Sequence, residues 1–396
     1  MNSKEKYNFD DPPNRWGSDC VKWGLYGPRV IPLWVADMDF VSPEPVVQAL
    51  KDRIDHRVFG YPSGIGDSPK DWEGLRQNIV DRMSDLYDWK ISLGDIVFIP
   101  GVVTGFNLAC HAYATPEEGV LIQTPVYPPI LHAANNTGRR YQEMQLACLP
   151  NGSYEVDWNS FEDNITPQTR VMILCNPHNP VGKVFTKEEL ERTAEICLRH
   201  NTIICSDEIH NDLIFNEYKH IPIAALAPEI AAATITLMSP SKTYNIAGLQ
   251  CSYAIITNRV LRKRYLASKQ GLVPWVNLMG MVAAEAALSD GEVWFQQLME
   301  YLEGNKNFVY DFVKNELPGI EMAEPEGTYL AWLDCRSADI PENPFEFFLK
   351  KARVAFNEGG TFGKGGEGFV RLNFGCSRLL LEKALGRVKM ALERVA

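Results

Sequence analysis

The chain has no C-x-x-C pair, no H-E-x-x-H, and only seven histidines, so paired thiol ligands and the usual zinc spacings are missing. Its nine cysteines (Cys20, Cys110, Cys148, Cys175, Cys197, Cys205, Cys251, Cys335 and Cys376) are scattered and odd in number, as expected for free thiols in a reducing cytosol. No block of Lys or Arg stands out, and 39 basic against 50 acidic residues leave a net charge of −11. A phosphate-backbone partner would meet net repulsion, so nucleic acid is excluded as an expected ligand. The opening MNSKEKYNFDDPPNRW lacks an apolar signal core, and no run approaches the roughly 20 apolar residues of a membrane span. A cytoplasmic location without membrane contact is the expectation. Internal repeats and low-complexity segments are missing too.

What is present is a globular composition, with 45% hydrophobic and 22% charged residues in 396. That length suits one large and one smaller domain. Short apolar, β-branched runs recur at 95–100, 120–123, 170–175, 202–206, 234–238 and 252–257, and read as buried strands. Helical spacing lies between several of them, as in KEELERTAEICLRH at 187–200. This alternation predicts an α/β fold: a three-layer large domain around a mostly parallel mixed sheet. After about 290 the pattern changes to a long amphipathic helix (294–317), strands at 328–333 and 369–374, a helix at 344–351 and a last helix from 379. These predict a smaller α+β domain. The Pro-rich start, with strand-like 30–35, is too short to fold alone and is expected to pack on it. The boundaries are 48–290 for the large domain, and 1–47 with 291–396 for the small one.

Four loops carry the candidate chemistry, each placed after a buried strand. Lys242 lies in SPSKTYNIAGLQ, flanked by Ser239 and Ser241. A lysine that holds an aldehyde cofactor needs phosphate-binding groups beside it, and the two hydroxyls supply them. Asp207, in SDEIH, stands where a carboxylate can keep a pyridinium nitrogen protonated; a helix cap or an ion pair explains it equally well in isolation. The doubled N-P of NPHNPVG at 176–182 fixes an irregular backbone suited to positioning an amide. GVVTG at 101–105 opens a helix, where backbone N–H groups offer an anion site.

In this order the motifs resemble the fold-type I aminotransferase superfamily of pyridoxal-phosphate enzymes, over nearly the whole chain. More narrowly, WVADMDF at 34–40, FGYPSG at 59–64, PVYPP at 125–129, NPHNPVG, SDEIHNDL at 206–213, SPSKTYNIAGLQ and RLNFG at 371–375 are similar to the cystathionine β-lyase and cystalysin-like C–S lyases of the MalY/PatB group. The resemblance implies pyridoxal 5′-phosphate as cofactor, bound as a Schiff base by Lys242, which also serves as acid and base at Cα. It implies Asp207 on the pyridine nitrogen, Asn179 on the ring oxygen, Tyr127 over the ring face and His210 beside the cofactor. Val102, Val103, Ser239 and Ser241 are expected around the phosphate. Tyr61 reaches it from a neighbouring subunit, which implies a homodimer with interfacial sites. Arg371, Asp37 and Tyr61 are assigned to the amino-acid substrate.

Three positions depart from common aminotransferase patterns. His210 replaces a tyrosine, in keeping with the lyase group. Pro128 stands where some cystalysin-like enzymes carry a second tyrosine, and Gln250 where many aminotransferases place a phosphate-binding arginine. The expected reaction is α,β-elimination giving thiol, pyruvate and ammonia. The alternative is amino transfer to a 2-oxo acid, in which the same residues return the proton to the cofactor. A binding protein that keeps the fold without turnover is a third reading, against which Lys242, Asp207 and Arg371 weigh.

Overall fold

In a computed structural model, the residues described are 7–62, 68–215 and 217–395. The first six residues of the opening segment, and Ser63 and Gly64 of the FGYPSG motif, lie outside them. At the centre is a seven-stranded sheet: β1 (Ile96–Ile99), β2 (Gly119–Thr124), β3 (Arg140–Gln145), β4 (Thr169–Cys175), β5 (Ile203–Asp207), β6 (Thr234–Met238) and β7 (Ser252–Ile255). Their order across the sheet is β1-β7-β6-β5-β4-β2-β3. All neighbours are parallel except β7, which runs antiparallel to both β1 and β6. This is the mostly parallel mixed sheet predicted, and the six expected strands fall within a residue or two of their positions.

Side chains alternate across the pleat. From β4, Val171, Ile173 and Cys175 join a core with Phe106 of α2 (Val102–Tyr113) and Tyr265 of α4 (Arg259–Lys269). Met172 and Leu174 face the other way, onto Leu190 and Ala194 of α3 (Lys187–Arg199). On that second face, β1 and β7 pack through Phe98 and Tyr253 against Ile79 and Met83 of α1 (Glu73–Tyr87). The result is three layers. Thr186 starts α3 with a reciprocal capping box to Glu189, as the sequence TKEEL dictates.

A second, antiparallel sheet contains β8 (Leu330–Asp334), β9 (Asn357–Glu358) and β10 (Phe369–Asn373), with β10 in the middle. It shares a core with α5 (Glu292–Glu316) and α6 (Arg378–Leu392), through Leu298, Leu302, Val309, Leu381 and Leu385. Phe9, Ile31, Leu33, Met38 and Phe40 enter the same core from the N-terminal segment. Of the strand expected at 30–35 only Ile31–Pro32 is regular, paired in parallel with Val354–Ala355. The helix expected at 344–351 is α-helical for one turn and then widens to a π-turn over Phe348–Ala352. Among the described residues no helix is long and apolar enough to cross a membrane.

Candidate active site

The carboxyl ends of β1, β2, β4, β5 and β6 open on one side of the sheet, where loops of a parallel sheet converge to form a crevice. There they surround a cavity of about 270 Å³, closed from the other side by Val35, Ala36 and Arg371. The cavity brings together Lys242, Asp207, Asn179, Tyr127, His210, Ser241, Val102, Val103 and Arg371, residues from distant parts of the chain.

Lys242 sits on a single helical turn, Pro240–Thr243, directly after β6. Ser239 caps that turn by accepting the Ser241 amide at 3.1 Å, and its hydroxyl lies 2.8 Å from that of Ser241. Ser241 therefore lines the cavity while Ser239 stands one step behind it. The Lys242 ammonium is partly buried and donates to the Ala36 carbonyl. Burial pulls it down to about 8; Asp37 and Asp207 oppose this and Arg371 adds to it. The unprotonated amine is thus far more accessible than for an ordinary lysine, though the ammonium still predominates at neutral pH.

Asp207 is the last residue of β5 and 2% exposed. Burial pushes its carboxyl up to about 7, with Glu208 in the same direction, against the Ile209 amide and the Lys242 ammonium. The Ile209 N–H donates to Oδ1 at 3.2 Å, leaving the carboxylate with capacity for a cationic partner. His210 is buried too. Burial, Lys242 and Arg371 hold it down at about 3, so the ring is neutral, and its Nδ1 has no hydrogen-bond partner.

The NPHNPVG loop is tied down at both ends. His178 Nε2 is 2.8 Å from the Pro125 carbonyl, and the Asn176 side chain accepts the Phe185 amide at 3.2 Å. The Tyr127 amide donates to the Asn179 carbonyl at 2.9 Å, so this loop also sets the place of Tyr127. Asn179 Oδ1 accepts from Arg371 Nη1 at 2.7 Å. A guanidinium only donates, so the amide nitrogen of Asn179 is the half left for a ligand oxygen.

Arg371, in the middle strand of the second sheet, is 3% exposed. Its Nη2 donates to the Trp34 carbonyl at 3.0 Å and to Asn357 Oδ1 at 2.6 Å, and the guanidinium lies 4.9 Å from the Phe362 ring centre. No carboxylate pairs with it among the described residues, and Nε has no partner. Burial lowers it to about 10. A buried guanidinium without counter-charge is costly, and a bound carboxylate relieves that cost.

At the start of α2 the Gly105 N–H donates to the Gly101 carbonyl at 3.0 Å. The amides of Val102, Val103 and Thr104 precede it, an anion-ready end. Gly101 has nothing within 4 Å of where a Cβ would stand, so the space above it is open. Gln250 also borders the cavity.

Two expected residues stand apart. Tyr61 is 82% exposed, its ring against Trp275 at 5.4 Å, and does not border this chain's own cavity. Asp37 is ion-paired to Arg15 at 2.7 Å and acts on the cavity through its field at Lys242. Sequence reasoning overlooked three residues. Tyr329 packs edge-on against His210 and donates to the Ala36 carbonyl at 3.0 Å. Asn357 holds Arg371, and Asn373 donates to the carbonyls of Val35 and Asp37. Only Asn373 carried a signal, as part of RLNFG.

Comparison with known proteins agrees with this geometry. The chain is 39% identical over 394 residues to cystathionine β-lyase PatB of Bacillus subtilis, covering 97% of this chain and all of that one. Cystalysin from Treponema denticola, whose crystal structure contains pyridoxal 5′-phosphate, superposes with a TM-score of 0.93 at 32% identity, covering 99% of this chain and 100% of cystalysin. The PLP-bound C–S lyase from Staphylococcus hominis gives 0.90 at 33% identity, over 98% and 99% of the two chains. The profile of aminotransferase class I and II matches residues 28–388, and the chain belongs to that family.

Proposed function

We propose that this chain is a pyridoxal-phosphate-dependent carbon–sulfur β-lyase acting on β-substituted amino acids. The observation that carries the reading is one cavity holding a lysine amine, a buried carboxyl and a buried arginine that has no carboxylate partner among the described residues. The cofactor fits the residues present: the space above Gly101 is open beside unpaired helix-start amides, and the Asn179 amide nitrogen and the Asp207 carboxylate remain free to bond a ligand. The C–S lyase names of similar proteins favour elimination over amino transfer.

Bound there, pyridoxal phosphate supplies an aldehyde for a lysine amine and a ring that accepts the electron pair left at a substrate Cα. Lys242 would hold the cofactor through its amine, and that same amine, unprotonated more readily than an ordinary lysine, would take the proton from the substrate Cα. Asp207 keeps a proton on the ring nitrogen. Asn179 would donate to a ring oxygen, Tyr127 would cover a ring face, and His210, neutral, would stand beside them in the same cavity. The amides of Val102 and Val103 with Ser241, supported by Ser239, bind the phosphate. Arg371 clamps the α-carboxylate so that the Cα–H bond stands across the ring. A thiolate then leaves Cβ, and the released aminoacrylate hydrolyses to pyruvate and ammonia.

The reading includes a homodimer in which Tyr61 of the partner subunit completes the phosphate site, since Tyr61 and Trp275, rings in contact, are both exposed large aromatics. Asp37 acts beside Lys242 at the substrate end. The large domain of 48–290 and the small one of 1–47 with 291–396 fit the core that joins both chain ends. Nine free thiols suit a cytoplasmic enzyme. The test is product analysis with L-cystathionine: pyruvate and free thiol without any 2-oxo acid is the expected result. Stoichiometric amino transfer with no thiol release from any β-substituted substrate overturns the reading in favour of a transaminase.

A further inference from the structure

Behind the cavity a buried hydrogen-bond network touches the residue that follows each of three site groups. After Lys242 comes Thr243, whose hydroxyl donates to Asp212 Oδ2 at 2.8 Å. After His210 comes Asn211, whose Nδ2 reaches Asp212 Oδ1 at 3.0 Å and the Tyr87 hydroxyl at 2.9 Å. After Asp207 comes Glu208, fully buried, which accepts the Ser206 hydroxyl at 2.7 Å and meets His220 at 2.8 Å. The His220 ring in turn lies edge-on to Tyr87, with centres 5.6 Å apart. Arg82 closes the set with an ion pair to Asp212 at 2.5 Å. Arg82 and Tyr87 both belong to α1, so one helix braces the adjacent Asn211 and Asp212.

We propose that Asp212 is a positioning residue: through Thr243 and Asn211 its carboxylate fixes the turn bearing Lys242 relative to the loop bearing Asp207 and His210. This rests on Lys242 being the cofactor lysine. The geometry is specific. The two carboxylate oxygens divide the work, Oδ2 to the lysine turn and Oδ1 to the other loop and Arg82, so the carboxylate joins the two loops beyond the backbone bond between their strand ends, Glu208 N–H to the Leu237 carbonyl at 2.8 Å. An ion pair needed only for stability would not require Thr243, whose hydroxyl sits one residue from the reacting amine.

Thr243→Val removes the link to the lysine turn and leaves Arg82–Asp212 intact; Thr243→Ser restores a hydroxyl. In the full-length chain freed of cofactor, the pH midpoint of Lys242 acetylation, followed by peptide mass, is expected to rise in Thr243→Val from about 8 toward the ordinary lysine range. The charged and titratable groups facing that amine are Asp37, Asp207, Arg371 and His210, and all remain in the variant. In the holoenzyme kcat is expected to fall about tenfold with KM little changed, and Thr243→Ser to recover both readouts. An unchanged midpoint and kcat in a folded Thr243→Val, or no recovery in a folded Thr243→Ser, overturns the proposal. Should Thr243→Val not fold, Thr243→Ala removes the same hydroxyl and carries the same test. Borohydride-reduced cofactor found on a residue other than Lys242 in the wild type would instead sink the reading of the site, which separates the two failures.

Discussion

Single residues decide the chemistry, and those at strand ends were the ones legible in sequence. Lys242, Asp207 and Asn179 follow apolar runs that read plainly as buried strands, so their position predicted their convergence. Tyr329 and Asn357 gave no such signal, because Tyr329 reaches the site by bonding to Ala36, 293 positions away, and Asn357 by cross-strand pairing with Arg371, which only the folded sheet reveals. Replacing Lys242 by Ala is expected to abolish turnover, and borohydride reduction should then leave no cofactor on the 242 peptide; retention there by mass would refute the assignment. Arg371→Lys removes the fork that meets Asn179, Asn357 and the substrate carboxylate, so kcat/KM should drop about a hundredfold, read by steady-state kinetics. Asp207 also gives a pH signature. Its carboxyl is raised in the folded cofactor-free chain, so the stability it contributes is complete below the unfolded value of 3.8 and is lost as pH rises through about 7. Lys242 is depressed, so its contribution is present above the unfolded 10.5 and lost as pH falls through about 8. Thermal unfolding against pH should lose the acidic-side slope in Asp207→Asn.

At the scale of elements, the buried strands announced themselves and the edge strand did not. β3, RYQEMQ, is exposed over much of its length and mostly polar, so nothing in its composition separates it from a loop. The π-turn at Phe348–Ala352 was equally invisible, since periodicity cannot distinguish a widened turn from an α-helical one. Two glycines around α2 have opposite consequences. Gly101 has extended φ and open space, so Gly101→Ala should leave the melting temperature of the cofactor-free chain unchanged. Its methyl enters the cavity where phosphate is expected, and cofactor affinity should weaken about tenfold, measured by titration. Gly105 instead lies against Ile99 and Leu237, where a Cβ would approach to 2.7 and 2.9 Å. Gly105→Ala is expected to cost about 1–3 kcal/mol of stability, checked by denaturant unfolding.

On the scale of the whole molecule, the sequence spoke clearly about the fold because alternating strands and helices extend over most of the chain. It spoke less clearly about assembly, since Tyr61 is an exposed aromatic whose role depends on a second copy. Mixing Tyr61→Phe with Lys242→Ala subunits is expected to restore activity, because one site per hybrid is complete, provided Tyr61→Phe is strongly impaired alone. Hybrids confirmed by mass that stay inactive would place Tyr61 outside the neighbouring site. The parallel pairing of Ile31–Pro32 with Val354–Ala355 has a further consequence, for order in time. A ribosome releases the N-terminal strand long before its partner, while every strand of the central sheet can emerge and pair in between. Trp34, whose carbonyl holds Arg371, waits with that strand. The nascent chain is therefore expected to assemble its central sheet first and to close the cavity only once Val354–Ala355 and Arg371 have emerged, so the site takes its final form after the sheet that carries most of it.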